Sequence, residues 1–381
     1  MKLQHKFGLL LSSLSLFSFI SSAEAEPKVV TSIKPIHSLV SYVMDGVGRP
    51  DLLVDGSSSP HTFQLKPSHA TMLQEADIVF WIGEDLESFL ETPLDSIAAS
   101  AKRVTLMDSD QIELLKFREK NVFDDHHDDH DDHDEHEDHA DGHDDHDEHD
   151  EHDEHDGHDE HDEHDEHDEH DEHDEHDEHD EHDEHDEHDD HEEHADGHDD
   201  HDEHEGHDDH GHHHGEHDIH FWLDPEIAKT IVSIASEELS EIDPANKSIY
   251  SSNAANAIND LDQLIDNTRS KINSDATYIV FHDAYQYFEQ RFGIEVIGAL
   301  TVNPEVLPGA KQLAEIREVI EHESVNCLFS EPQFNPSIAE TIASDTGIKS
   351  AVLDPLGAEL EPGKDLYFDL IGDMASSFEN C

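Results

Sequence analysis

Three histidines occupy positions along the chain at which a metal ion could be bound. His61 lies in a Gly- and Ser-rich loop after a short apolar run, His282 directly follows the apolar run 278–281, and His220 lies just before the start of a helix. Ligands of open α/β sheets gather in loops at the carboxyl ends of strands. Three imidazoles from such loops would bind zinc and leave one position for water or a carboxylate. The sequence therefore predicts a metal site formed by His61, His220 and His282, against the alternative that each is an ordinary surface histidine.

Four other histidines outside one repetitive segment are weaker candidates. His5 lies in the predicted export signal and would be removed with it, and His322 lies between two glutamates, where we expect it to be solvated. His69 is expected at the start of a helix. His37 follows the first predicted strand and would lie near enough to the metal site to support a ligand.

A repetitive acidic segment runs from residue 124 to residue 218. It contains 33 His, 54 Asp or Glu and eight Gly or Ala, with no basic residue. Such a composition cannot form a core, and its like charges repel at every helical neighbour spacing. We therefore expect a disordered His/Asp/Glu-rich loop inserted in the first half of the chain.

The residue types of this segment nevertheless predict metal binding. Imidazoles flanked by carboxylates would form many weak, exchangeable sites for zinc, copper or nickel. The alternative is a purely solubilising acidic segment. Because the segment ends two residues before His220, it would raise the local metal concentration at the predicted site.

The charge of the chain excludes several classes of partner. The 381 residues include 98 Asp or Glu and 20 Lys or Arg, a net charge of −78. Without the acidic segment and the first 25 residues, 43 acids and 18 bases remain, a net charge of about −25. An acidic surface repels phosphate groups, so we expect no nucleic-acid partner, whereas divalent cations are suitable ligands.

The first 25 residues have the pattern of an export signal. Lys2 and Lys6 precede the apolar run 7–20, and small residues at 23–25 provide a cleavage site. The run is shorter than the ~20 residues that a membrane-spanning helix needs, so we expect cleavage after Ala25 and not a retained anchor. With no second long apolar segment, the mature chain is predicted to lie outside the cytoplasm without being embedded in a membrane.

The chain contains two cysteines, Cys327 and Cys381. An oxidising compartment favours a disulfide between them over two buried thiols. Such a bond would tie the carboxyl terminus to the fold.

Two blocks of alternating strands and helices must position these residues. The predicted strands are 29–33, 51–54, 78–82 and 104–107 in the first block and 278–281, 296–300, 325–329 and 351–353 in the second. Stretches with helical spacing of apolar residues separate them, which is typical of parallel sheets flanked by helices. The predicted fold class is α/β, with two βα lobes and the metal in the cleft between them.

One long helix is predicted to join the lobes. Residues 244–273 contain no Gly and no Pro after Pro244, and their apolar residues have helical spacing. Asp243 is a candidate N-cap with Pro244 at the first helical position. We therefore expect a first lobe over 26–243, a linker helix over 244–273 and a second lobe over 274–381.

Several stretches of the sequence resemble one protein family. They are 31–40 (TSIKPIHSLV), Pro60-His61 ahead of 65–68 (LKPS), 219–225 (IHFWLDP), 281–285 (FHDAY), 330–336 (SEPQFNP) and 353–357 (LDPLG). In this order, across the whole mature chain, they resemble the zinc-uptake solute-binding proteins of bacterial ABC transporters, the ZnuA family. An acidic His-rich loop ahead of the second metal ligand is also typical of that family.

The resemblance implies a site and a fold. His61, His220 and His282 match the family's three metal-binding histidines, with zinc as the transported ligand. Members have two βα lobes joined by a long helix, with metal in the cleft between the lobes. Zinc-binding members often have a disulfide that corresponds to Cys327 with Cys381.

The fourth ligand differs from that of some relatives. They have Glu immediately before the first metal-binding His, whereas this chain has Pro60. Water or a carboxylate such as Asp354 would then complete the coordination. Manganese-binding relatives tend to have Glu in place of the third His, so His282 favours zinc.

The function that the resemblance implies is transport. A monomer in the periplasm of a Gram-negative bacterium would capture Zn²⁺ and deliver it to a membrane permease with its ATPase, without acting as an enzyme. A metallohydrolase is one alternative, but the sequence has no His-Glu-x-x-His motif. A metal buffer or surface adhesin without a transporter is the other, and it would share the same site chemistry.

Overall fold

The computed structural model describes residues 26–118, 215–272, 276–301, 304 and 306–381. The predicted signal peptide, 1–25, and residues 124–214 of the acidic segment lie outside the described residues. Within the described ranges, no helix is both long and apolar enough to span a bilayer.

A four-stranded parallel sheet forms the first lobe. Its strands are β1 (Val29–Ile33), β2 (Asp51–Val54), β3 (Ile78–Trp81) and β4 (Lys102–Thr105), in the order β2-β1-β3-β4. Helices α1 (Lys34–Val43), α2 (Pro67–Glu75) and α3 (Glu91–Ser96) lie between them in the chain. β1 and β3 are buried along their whole length, as expected for the central strands of a parallel sheet. The strand order reverses between β1 and β3, which is where ligands of such sheets gather.

Two helices lead from the first lobe to the second. They are α4 (Pro225–Ile242) and α5 (Lys247–Lys271), which pack against each other. At 25 residues, α5 is about 38 Å long. It also contacts α1 of the first lobe and the carboxyl-terminal helix of the second.

The start of the long helix differs from the sequence expectation. Pro244–Asn246 forms a 3₁₀ turn before α5, and the Asp243 side chain makes no capping bond to that turn. Its Oδ2 instead accepts hydrogen bonds from the Asn246 side-chain amide and the Tyr250 hydroxyl, each at 2.7 Å. Tyr250 is fully buried, so its hydroxyl needs a partner inside the protein.

The second lobe has the same topology as the first. Its strands are β5 (Thr277–His282), β6 (Glu295–Thr301), β7 (Cys327–Ser330) and β8 (Lys349–Val352), all parallel in the order β6-β5-β7-β8. Its helices are α6 (Gln286–Phe292), α7 (Ala310–His322), α8 (Ser337–Thr346) and α9 (Leu366–Asn380).

Three strands are displaced from their predicted positions. β7 begins at Cys327, two residues after the predicted start at 325. β4 ends at Thr105, two residues before the predicted end, because Leu106–Asp108 forms a 3₁₀ turn. β8 begins at Lys349, before the predicted 351, and most of its residues are exposed. As an edge strand, β8 needs few apolar residues, so hydrophobicity does not reveal its start.

One apolar core extends through both lobes. The largest buried cluster contains Val40 and Phe80 from the first lobe, Leu261 from α5, and Tyr278 and Phe378 from the second. The lobes are therefore packed together through α5 and are not separated by a flexible hinge.

The predicted disulfide is present. Cys327 begins β7, Cys381 follows α9, and their Cα atoms lie 5.6 Å apart. The bond joins the end of the chain to the middle of the second sheet.

Candidate metal centre

His61, His220 and His282 come together between the lobes. Each offers one ring nitrogen, and these nitrogens all lie within 4.8 Å of one another. The ring centroids are 5.1 Å apart for His220 and His282, and 5.8 and 5.9 Å from each of these to His61. His220 and His282 are buried and His61 is partly exposed. Within the described ranges, no other group of three or more His, Cys, Asp or Glu side chains has a geometry that could hold a metal ion.

Different local structures hold the three residues. His61 lies in the 3₁₀ turn Pro60–Thr62 after β2, and its amide donates to Ser59 Oγ at 3.3 Å. His282 is the last residue of β5, at the carboxyl edge of the second sheet. His220 precedes a 3₁₀ turn that leads into α4.

Buried carboxylates orient two of the imidazoles. His220 Nδ1 lies 2.8 Å from Asp218 Oδ1, which also accepts the His220 backbone N–H at 2.9 Å. His282 Nδ1 lies 2.9 and 3.1 Å from the two oxygens of Glu331. With Nδ1–H donating to a carboxylate, Nε2 of each ring keeps its lone pair.

The two Nε2 atoms face each other at 3.3 Å. In these tautomers both are acceptors, so neither can satisfy the other. A cation between them would satisfy both lone pairs, and the two carboxylates behind the rings would balance a charge of 2+. The donor set therefore suits a divalent metal that prefers nitrogen ligands.

Further acidic groups surround the site. Burial lowers the pKa of His282, but the charge and hydrogen bond of Glu331, together with the charges of Asp283 and Asp218, outweigh it, and the pKa is raised overall. Burial raises the pKa of Asp283, an effect that Arg118 opposes, and raises the pKa of Glu289 to about 7. The carboxylates nearest His282 therefore favour a positive charge at this ring.

Sequence patterns pointed to neither Asp218 nor Glu331. Asp218 was counted with the acidic segment on composition, yet it is only 1% exposed and belongs to the folded site. Glu331 directly follows β7, the strand next to β5. Its position at the carboxyl edge of the second sheet could therefore have indicated that it lies near His282.

Asp354, the carboxylate considered as a fourth ligand, accepts hydrogen bonds from other groups with both of its oxygens. Its Oδ1 accepts hydrogen bonds from Gln333 Nε2 and from the amides of Leu356 and Gly357, at 2.8 to 3.1 Å. Its Oδ2 accepts the amide of Ala358 at 2.5 Å. In this arrangement Asp354 stabilises a turn.

The three imidazoles lie in a small, mainly apolar cavity. The residues that line it are Ser59, Pro60, His61, His220, Trp222, His282, Glu331, Gln333, Phe334, Pro355 and Leu356. Apolar walls exclude water and strengthen the interactions of a bound charge.

The other histidines have local structural roles. Nε2 of buried His37 lies 3.1 Å from the Pro50 carbonyl, and burial lowers its pKa; it is not among the residues of the metal cavity. His69 lies in the first turn of α2 as predicted, where its Nδ1 accepts the Lys66 amide at 3.2 Å. His322 is exposed at the end of α7.

The described residues on either side of 119–214 are paired near the site. Lys116 and His217 form an antiparallel bridge. Arg118, the last described residue before this gap, contacts Asp283 at 2.9 Å and Glu289 at 2.7 Å. The described chain before the gap is therefore held against Asp283, the residue after His282.

Three comparisons with known proteins identify similar chains. Residues 29–381 match the sequence profile of "Zinc-uptake complex component A periplasmic", ZnuA. The chain is 40% identical over 378 residues to the high-affinity zinc uptake system protein ZnuA of Brucella abortus (strain 2308), with 98% of each chain covered.

Solved structures show the same fold. A crystal structure of ZnuA aligns with a TM-score of 0.62 and 19% identity, covering 92% of this chain and 97% of that one. The laminin binding protein Lmb of Streptococcus agalactiae, described as bifunctional with adhesin and metal transporting activity, aligns with a TM-score of 0.59 and 18% identity, covering 92% and 98%.

Proposed function

The chain belongs to the ZnuA family of periplasmic zinc-uptake components, and from that premise we propose that it captures Zn²⁺ with His61, His220 and His282 and delivers it to the permease of an ABC importer. The observation that carries the proposal is the convergence of three imidazole nitrogens within 4.8 Å. Zinc is the transported ligand and not a resident cofactor.

The donor set supports zinc over harder cations. Three neutral imidazoles suit zinc, whereas magnesium and calcium prefer oxygen ligands. Asp218 and Glu331 supply two negative charges through the rings of His220 and His282. We propose that water takes the fourth position, because the oxygens of Asp354 already accept four hydrogen bonds.

The same contacts support a role without catalysis. A zinc hydrolase needs a general base that is able to take a proton from zinc-bound water. Asp218 and Glu331, the carboxylates hydrogen-bonded to the candidate ligands, are each already an acceptor for an imidazole. We therefore propose that the protein binds and releases zinc unchanged.

The family's location supports export and delivery. Its members are periplasmic, and we propose that residues 1–25 direct export and are then removed. The mature monomer would bind a membrane permease whose ATPase drives import. The acidic segment, 124–218, would collect metal in weak sites near the cavity, because its last residue, Asp218, contacts His220.

A competitive zinc titration against a chelator tests the proposal. The proteins are the mature chain, a variant that lacks residues 124–210, and the triple variant His61→Ala, His220→Ala, His282→Ala of that deletion. The deletion keeps the described residues 215–218, since Asp218 contacts His220. We expect one tight zinc in the deletion and none in the triple variant.

His322→Ala is a matched control, because this histidine is exposed and far along the chain from the three ligands. Its zinc affinity should equal that of the parent. A deletion variant without tight zinc would contradict the proposal and make the acidic segment the binding element.

Growth separates transport from storage or adhesion. A strain without the protein should grow poorly only when zinc is scarce if the protein supplies an importer. Normal growth under zinc limitation would favour a metal buffer or adhesin.

A further inference from the structure

One wall of the metal cavity is a loop at the carboxyl edge of the second sheet. Residues 353–360, here called the wall loop, follow β8 in the connection to α9, and Pro355 and Leu356 of this loop line the cavity. Inside the loop, Asp354 accepts the amides of Leu356, Gly357 and Ala358. The amides are thus used within the loop, and its carbonyls are available to other parts of the chain.

Lys34 of the first lobe donates hydrogen bonds to three of these carbonyls. Its Nζ donates to the carbonyl oxygens of Gly357 at 3.1 Å, Ala358 at 2.8 Å and Leu360 at 3.0 Å. Lys34 is only 3% exposed. Asp55, whose side chain is largely exposed, lies 3.4 Å from the same nitrogen.

The position of Lys34 is unfavourable for its own helix. It is the first residue of α1, where the helix dipole repels a cation. A buried ammonium group also loses its hydration and is tolerated only when acceptors replace the water. The three carbonyls of the wall loop provide such acceptors, and Asp55 adds a more distant negative charge, so most of the compensation for burying Lys34 comes from across the lobes.

The segments that carry the ligands contact the same loop. Trp222, two residues after His220, donates its Nε1–H to the Pro355 carbonyl at 2.9 Å. The Tyr285 hydroxyl, three residues after His282, lies 3.5 Å from the Leu353 carbonyl. The wall loop is therefore held from three sides, and Lys34 supplies the contact from the amino-terminal end of α1.

We infer that Lys34 is a positioning residue for the zinc site, which fastens the wall loop over the cavity and thereby slows zinc release. The inference rests on the proposed function, since it assigns zinc to this cavity. The described polar contacts of the Lys34 side chain are with the wall loop and with Asp55. It acts through the wall loop, whose Pro355 and Leu356 would otherwise be free to move away from the histidines.

The test is the rate at which the tightly bound zinc leaves the mature full chain in excess chromophoric chelator. Lys34→Met keeps the length of the side chain and removes its charge and donors. We expect release about tenfold faster or more, in the range found when groups that support metal ligands are removed. Hydrogen exchange at the amides of 356–360 should also become faster in the zinc-loaded protein.

Two further variants separate positioning from general stability. Lys364→Met removes another lysine that bridges the lobes, through Asp45, but this one is half-exposed and does not contact the wall loop through any described bond. Its release rate should stay within about twofold of the wild type. Lys34→Arg keeps the charge and donors and should restore part of the slow release.

A wild-type release rate in Lys34→Met, with or without a change in apo-protein stability, would overturn the inference. If that variant does not fold, Gly357→Ala gives the same test. Gly357 has φ of 69°, where a side chain is strained, so the substitution disturbs the wall loop directly. Wild-type release from Gly357→Ala would then overturn the inference. Wild-type protein without any tightly bound zinc would instead contradict the proposed function.

Discussion

The Nε2 atoms of His220 and His282 lie 3.3 Å apart, although 62 residues separate them in the chain. Each ring is held from behind by a buried carboxylate, Asp218 for the first and Glu331 for the second. The two lobes thus present a preorganised pair of candidate nitrogen ligands, and His61 completes a candidate set of three.

The supporting carboxylates should contribute to zinc affinity. Asp218→Asn and Glu331→Gln keep the shape of each side chain and remove its charge. We expect each to weaken zinc binding about 10- to 100-fold in a competitive titration, because the ring becomes a poorer ligand and the site loses compensating charge. Glu340→Gln, an exposed change on α8, should leave the affinity unaltered. Unchanged affinity in both site variants would show that the carboxylates serve only the fold.

Zinc should stabilise the folded chain through this site alone. With free zinc buffered about 100-fold above Kd, the free energy of unfolding should rise by about 2.7 kcal/mol. In calorimetry the unfolding temperature should increase for the wild type and stay constant for the variant His61→Ala, His220→Ala, His282→Ala. Weak sites in the acidic segment, if present in both folded and unfolded chains, would not contribute. An equal increase in the triple variant would place the stabilising site elsewhere.

Glu87 should make the first lobe less stable as pH rises. It is fully buried, and Oε2 accepts the amides of Ile82 and Gly83 at 2.9 and 3.0 Å. Burial raises its pKa to about 7. The folded state therefore favours the protonated form, and stability is greatest below the unfolded pKa of about 4.5 and falls until pH 7, by at most about 3 kcal/mol.

Glu87→Gln removes this ionisation. In urea denaturation, the variant should gain stability relative to the wild type as pH rises across that window, and the difference should be constant above it. Parallel pH profiles for the two proteins would contradict the assignment. Glu340→Gln again serves as the exposed control, because its substitution should not change the profile.

The disulfide should stabilise the second lobe. Cys327 and Cys381 are 54 residues apart, and closing a loop of this length restricts the unfolded chain by about 4 kcal/mol in the chain-entropy model. Cys327→Ser with Cys381→Ser should lower the free energy of unfolding by about this amount in denaturant titrations. Reduction of the wild type should have a similar effect, and a double variant as stable as the oxidised protein would contradict the prediction.

Local sequence patterns were sufficient for much of the fold. Buried central strands such as β1 and β5 are apolar and β-branched, and the helices between them have apolar residues at helical spacing, so the α/β class and both parallel sheets could be predicted. Edge strand β8 could not be placed accurately, because its exposed residues carry no such pattern.

The candidate ligands were also accessible from the sequence. His61 and His282 follow strands, and the rule that ligands gather at carboxyl ends of strands selects these two without knowledge of distances. His220 was chosen as a third imidazole in a loop, just before a helix. The pairing of Cys327 with Cys381 followed because the chain has no other cysteine.

The tertiary structure alone decided how those residues act. Composition placed Asp218 in the acidic segment, but packing buries it against His220. The sequence allowed Asp354 as a fourth ligand, but its oxygens accept hydrogen bonds within the wall loop. Lys34 meets the wall loop across more than 320 residues of sequence. Sequence patterns describe what each residue needs locally, whether burial, a helix or a strand end. Which donor meets which acceptor depends on the packing of both lobes around one core, and that is a property of the whole chain.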